Sequence, residues 1–130
     1  MKILALRTDK PEAELYIYED KAKLAEIKWT AHWDLAETLN SKIDEILNKS
    51  SISYGSLEAI AVYKGPGSFT GLRIGMSVAN ALAYGLGLPI VAASGDDWVI
   101  TASKLLQEGK NDKIAVPEYG SPPHVTKPKK

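Results

Sequence analysis

The feature that most limits how this sequence can fold is the segment from Gly71 to Leu86, which is apolar on nearly all sides. On a helix of 3.6 residues per turn, its polar residues occupy only about 60° of the circumference. These residues are Arg73, Ser77, Asn80 and Tyr84. A helix with one buried side needs an apolar stripe of only about 100°. One sheet cannot cover such a helix, so other helices of the chain or a second protein must cover the rest.

Patterns on either side of this helix predict an α/β fold. Short apolar or alternating segments predict five strands, at Lys2–Leu6, Glu14–Tyr18, Lys23–Trp29, Leu57–Val62 and Leu88–Ala92. An amphipathic pattern predicts a helix at Trp33–Asn48, and a third helix is predicted at Ser94–Gln107 with Ser94 as its N-cap. Gly85 and Gly87 are expected to stop the middle helix. The order predicts a five-stranded mixed sheet with three helices, the first two side by side.

The chain of 130 residues is 45% apolar, enough for one core without disulfide or metal support. We expect one domain over residues 1–116. Residues 117–130 contain four prolines and three lysines with little to bury, which predicts an extended or disordered tail. Three lysines neutralise few phosphates, so Lys127, Lys129 and Lys130 are expected to give at most an auxiliary contact to RNA.

Composition narrows the class of protein. Lys+Arg and Asp+Glu both number 16, so no overall positive field attracts nucleic acid, and any RNA contact is expected to be local or through a partner. The absence of cysteine excludes a thiolate zinc site and a cysteine nucleophile and suits the cytoplasm. Neither a leader pattern nor a run of about 18 apolar residues is found, so neither export nor membrane insertion is expected.

The glycine-rich turn Gly65–Gly71 has two interpretations. Glycines between a strand and a helix can let backbone N–H groups converge on phosphate. However, the Walker A motif needs Lys-Ser/Thr after its last glycine, and the dinucleotide motif needs glycine where Thr70 stands. The other interpretation is a tight turn with close helix packing. An acyl hydrolase using Ser68 lacks the Gly-x-Ser-x-Gly pattern.

The turn and the start of the helix together form an eleven-residue run: Gly65, Pro66, Gly67, Ser68, Phe69, Thr70, Gly71, Leu72, Arg73, Ile74 and Gly75. This run resembles the signature of the TsaB (YeaZ) family. The resemblance implies one lobe of the sugar-kinase/Hsp70/actin fold. It also implies a protein that has no catalytic role and binds no cofactor. Such a protein is the partner of the TsaD threonylcarbamoyltransferase, which together with the ATPase TsaE modifies the adenosine beside the anticodon of tRNAs. A homodimer in the absence of TsaD stays open.

The sequence also departs from that family. Arg7-Thr8-Asp9 stands where relatives commonly have Asp-Thr-Ser, so the carboxylate at the first of these positions is missing. Asp9 lies two residues later, about 6 to 7 Å from that position along an extended chain. Trp33 stands where relatives commonly have a small hydroxyl residue after the family histidine, which is His32 in this sequence. We expect no catalytic role for His32. The second lobe of relatives is expected to be missing, so a site enclosed between two lobes cannot form. We therefore expect no enzyme. The alternative is a phosphate-binding or hydrolytic protein that uses Gly65–Gly71 with Thr8 and Asp9 near the anion.

The resemblance implies that the first two helices contact the partner. We expect the partner on the side of the middle helix that borders its narrow polar sector. This side carries Leu72, Arg73, Met76, Ala79, Asn80 and Ala83. The opposite side is expected to face the sheet and carries Ile74, Val78, Ala81 and Leu82. A charge at Ala79 or Ala83 is then expected to block the partner without unfolding the domain.

Overall fold

Five strands form one mixed sheet in the computed structural model, which describes residues 1–31 and 33–118. The strands are β1 (Lys2–Arg7), β2 (Glu12–Glu19), β3 (Ala22–Thr30), β4 (Ala59–Tyr63) and β5 (Ile90–Ala93). Their order is β3-β2-β1-β4-β5, in which β2 is antiparallel to β1 and β3, and β4 is parallel to β1 and β5. The mixed five-stranded sheet predicted from the sequence is confirmed.

Three α-helices in the described part of the chain cover the two faces of this sheet: α1 (Leu35–Lys49), α2 (Phe69–Leu86) and α3 (Trp98–Gln107). Side chains alternate along β1, because successive residues of a strand point to opposite faces. Leu4 and Leu6 pack in the cluster formed with α1 and α2. Ile3 and Ala5 pack in the second cluster, with α3. The first two helices, α1 and α2, lie side by side, as predicted. The third helix, α3, lies on the opposite face of the sheet.

The helix ends differ in detail from the prediction. Gly85 lies inside α2, and Gly87 caps its C-terminal end with a left-handed φ of 68°. The N–H of the next residue, Leu88, donates to the Ala83 carbonyl. Only one of the two glycines therefore stops the helix. The assignment of Ser94 as an N-cap is wrong, because the chain turns at Gly95 (φ 92°) and α3 begins only at Trp98.

Residues 111–118, which we call the strap, run along the free edge of β5. The N–H of Asp112 donates to the Ile90 carbonyl at 2.8 Å, and its carboxylate accepts from the N–H of Ala92 at 2.9 Å. The side chain of Asn111 accepts from the N–H of Ile90 at 3.1 Å. The strap therefore satisfies backbone groups that an edge strand otherwise leaves unpaired.

Two sets of sequence predictions fall on residues that the structure does not describe. His32 lies outside the described residues. Of the predicted tail, Pro117 and Glu118 are described, and residues 119–130, including Lys127, Lys129 and Lys130, are not. The division into residues 1–116 and a tail stays a prediction.

Candidate protein-binding site

The turn between β1 and β2 packs directly on the start of α2. The hydroxyl of Thr8 donates to the Gly71 carbonyl at 2.7 Å, and the N–H of Ser68 donates to the Asp9 carbonyl at 2.8 Å. A Cβ at Gly71 would lie 2.1 Å from the Thr8 carbonyl oxygen, and one at Gly67 would lie 2.3 Å from Cβ of Asp9. The two chain segments thus approach more closely than any residue with a side chain allows.

The Asp9 carboxylate is paired with an arginine of its own turn. Nε and a terminal nitrogen of Arg7 donate to its two oxygens at 2.7 and 3.1 Å, and Asp9 is 9% exposed. The hydrogen bond to Asp9 raises the pKa of Arg7, whose guanidinium also lies 3.9 Å from the centroid of the Tyr63 ring. Both Thr8 and Asp9, which the phosphate hypothesis needs beside an anion, are therefore engaged within the chain. These contacts favour the close-packing interpretation of the glycines.

The orientation predicted for α2 is wrong. Leu72, Met76, Ala79 and Ala83, which we expected to contact a partner, are between 0% and 4% exposed and lie in the chain's own core. Ile74, Val78 and Leu82, which we expected to face the sheet, are only half-buried, and Ala81 is exposed. The physical reason is that small residues at Gly75, Ala79 and Ala83 let this side of α2 approach neighbouring structure closely, and Gly75 lies directly against the Thr8 side chain.

The two polar residues of the expected interface have different surroundings. Asn80 accepts from the N–H of Ala115 at 2.8 Å and donates to its carbonyl at 3.0 Å, so it holds the strap against α2. Asn80 is therefore an internal contact, not the rim of an interface. Arg73 is exposed, and its guanidinium lies 5.3 Å from the centroid of the Phe69 ring.

The outer side of α2 and the start of α1 enclose a groove of about 420 Å³. Its lining is mostly apolar and half-buried or exposed, and it consists of Ala36, Phe69, Thr70, Arg73, Ile74, Ser77 and Val78. A second depression of about 330 Å³ continues it towards the end of α2, lined by Asn40, Ser77, Val78, Ala81 and Leu82. We call this continuous surface the α1–α2 groove.

The eleven-residue signature thus divides by role. Gly67, Gly71 and Gly75 accommodate the β1–β2 turn, Ser68 caps α2, and Leu72 enters the core. Gly65 and Pro66 form the bend beside the strap, where the N–H of Glu118 donates to the Lys64 carbonyl at 2.6 Å. Phe69, Thr70, Arg73 and Ile74 line the groove.

The family resemblance implied that the first helix contacts the partner, but sequence reasoning did not identify which of its residues line the groove. Ala36 and Asn40 were not singled out, because an amphipathic pattern shows which side of a helix is buried and not what lies beside its exposed edge. Phe69 did carry a signal in the sequence, as an aromatic residue in the glycine-rich segment. The structure places it at the start of α2, where it is 53% exposed. Trp33, next to α1, is 95% exposed.

Comparisons with known proteins bear on what this surface does. The chain is 35% identical to the tRNA threonylcarbamoyladenosine biosynthesis protein TsaB of Haemophilus influenzae, over 64% of this chain and 37% of that protein. It is 37% identical to the tRNA N6-adenosine threonylcarbamoyltransferase of Geotalea daltonii, over 68% of this chain and 26% of that protein. YeaZ from Pseudomonas aeruginosa superposes with a TM-score of 0.65 at 26% identity, over 72% of this chain and 45% of YeaZ.

The family model of TsaD, tRNA N6-adenosine threonylcarbamoyltransferase, matches residues 30–116. Together with the relatives named TsaB and YeaZ, this match shows that the chain belongs to the TsaB (YeaZ) family. Its sheet and three helices are one lobe of the sugar-kinase/Hsp70/actin fold, as the signature implied. This TsaB family member spans less than half the length of each of the three relatives.

Two features are absent from the described part of this TsaB family member. No helix there is long and apolar enough to cross a lipid bilayer. No group of three or more His, Asp or Glu side chains within residues 1–31 and 33–118 is arranged to hold a metal ion. Relatives named TsaB and relatives named as the transferase match this chain at similar identity.

Proposed function

We propose that this chain is a non-catalytic partner of a TsaD-like threonylcarbamoyltransferase in the synthesis of threonylcarbamoyladenosine in tRNA. The observation that carries the proposal is the α1–α2 groove, an apolar surface formed by two neighbouring helices. Contiguous exposed apolar surface of this kind marks protein-binding sites more often than the scattered apolar residues of an ordinary surface. The docking surface is therefore the outer side of α2 together with the start of α1.

The β1–β2 turn supports a role without catalysis. The phosphate-binding alternative places Thr8 and Asp9 beside an anion, but Thr8 donates to Gly71 and the Asp9 carboxylate is paired with Arg7. Freeing this carboxylate would break a largely buried ion pair, which is costly. The turn therefore serves to position α2 and, through it, the groove.

The remaining partners follow from the family. A TsaE-like ATPase belongs to the larger complex, tRNA is contacted indirectly, and the complex acts in the cytoplasm. Whether two copies of this chain pair when the catalytic subunit is absent stays open.

The test is co-purification of the TsaD-like subunit of the same organism with tagged variants of this chain. Ser77 is exposed and lines both parts of the groove, so Ser77→Asp should leave the chain folded and place a charge in the contact. We expect co-purification to fall at least tenfold, because covering the new carboxylate removes it from water, and Arg73, one helical turn away in the same groove, offsets that cost only in part.

Thr101→Asp is the matched control, because Thr101 is an exposed hydroxyl residue on α3, across the sheet from the groove. It should bind as the unmodified chain does. Equal binding by the Ser77→Asp and Thr101→Asp variants, with both melting normally, would place the contact elsewhere.

A further inference from the structure

Arg73 is the one charged residue among the described residues that line the α1–α2 groove. Its guanidinium lies 5.3 Å from the centroid of the neighbouring Phe69 ring, at the end of the groove near the glycine-rich turn. None of the ion pairs formed by the described residues includes Arg73. The only other arginine, Arg7, is paired with Asp9.

An arginine in an apolar groove restricts what can cover that groove. A wholly apolar partner surface would remove the guanidinium from water and leave it without a counter-charge, which costs free energy. A carboxylate can instead accept two parallel hydrogen bonds from the planar guanidinium of Arg73, which makes the contact both strong and directional. The groove therefore fits an apolar surface that contains an Asp or Glu side chain opposite Arg73.

We propose that Arg73 binds a carboxylate of the partner and that this contact selects the partner. The inference rests on the proposed function, since the partner is the TsaD-like subunit. The ring of Phe69, one helical turn before Arg73, supports the guanidinium from the side, and Ile74, the residue after Arg73, adds an apolar side chain to the same groove.

A second copy of this chain fits the groove less well. In a two-fold symmetric dimer the same surface is presented by both copies. No Asp or Glu is among the described residues that line the groove, so in a copy docked groove to groove the lining itself offers Arg73 no carboxylate. Two guanidinium groups would then be covered without a partner. The occupant is therefore a different chain.

The test is the Kd between this chain and the TsaD-like subunit, measured by calorimetry from low to high salt. Arg73→Met keeps an unbranched apolar side chain and removes the charge. We expect a Kd at least about 30-fold weaker, since the partner's carboxylate would be left unpaired. We also expect a smaller dependence of Kd on salt than in the unmodified chain. Arg73→Lys, which keeps the charge without the planar fork, should be intermediate.

Lys104→Met is the control, because Lys104 is an exposed residue of α3, on the opposite face of the sheet. It should change neither Kd nor its salt dependence. Unchanged Kd and salt dependence in the Arg73→Met variant, while Ser77→Asp still weakens binding at least tenfold, would overturn this inference alone. Failure of the unmodified chain to bind would overturn the inference and the proposed function together.

Discussion

At Gly71 the backbone of the β1–β2 turn comes so close to α2 that a methyl group has no room. The Thr8 carbonyl oxygen lies 2.1 Å from the position that a Cβ would take. Gly85 is in the same helix, and a Cβ added there would meet nothing within 4 Å. Gly71 and Gly85 therefore differ in what they do: of these two glycines, Gly71 is required for packing and Gly85 is not.

We predict opposite effects of alanine at these two glycines. Gly71→Ala should lower the free energy of unfolding by about 1–3 kcal/mol, because backbone must move to admit the methyl group. Gly85→Ala should raise it by about 0.5–1 kcal/mol, because alanine is the better helix former. Urea denaturation of the two variants measures both. A Gly71→Ala variant as stable as the unmodified chain would show that the turn does not depend on this close approach.

The sequence could not decide between the two interpretations of these glycines. A phosphate cradle and a close approach of backbone both require glycine, so the motif is the same for both. The deciding contacts come from Thr8 and Asp9, and Thr8 lies 63 residues before its partner Gly71. Only the pairing of β1 with β4 brings the two segments together.

The orientation of α2 decides which residues a partner can reach. Its apolar arc was predicted correctly from the sequence, but both sides of that arc were apolar, so the pattern could not show which side faces the sheet. The structure buries Met76, Ala79 and Ala83 and leaves Val78 and Ala81 towards the groove. The second error, at Ser94, has a similar origin, since a capping residue type was present but Gly95 turns the chain before α3 begins.

Two alanines of α2, two positions apart, test this orientation. Ala79 is 0% exposed and Ala81 is exposed. Ala79→Asp should lower the free energy of unfolding by at least about 3 kcal/mol, because it buries an unpaired charge. Ala81→Asp should lower it by less than about 1 kcal/mol, which is the helix-propensity cost. Thermal melting compares them. A stable Ala79→Asp variant would mean that this side of α2 is not in the core.

The whole molecule presents two different faces. The sheet, α1 and α2 form one core cluster, and the sheet and α3 form the other, so the lobe has its own core on both sides of the sheet. The strap completes the edge of β5 through Asn111 and Asp112, and Asn80 fixes it to α2. The α1–α2 groove lies on the outer side of the first cluster, where it is open to a partner without any change in the core.

Reconstitution of tRNA modification tests the central claim most directly. Threonylcarbamoyladenosine formation by the TsaD-like and TsaE-like proteins of the same organism is measured with tRNA, ATP and the threonylcarbamoyl donor, with and without this chain. ATP hydrolysis by this chain alone is measured in parallel. We expect modification to require the chain in equimolar amount and to be lost with the Ser77→Asp variant, and we expect no ATP hydrolysis by the chain alone. Modification that proceeds equally without the chain, or ATP turnover by the chain alone, would contradict a non-catalytic partner.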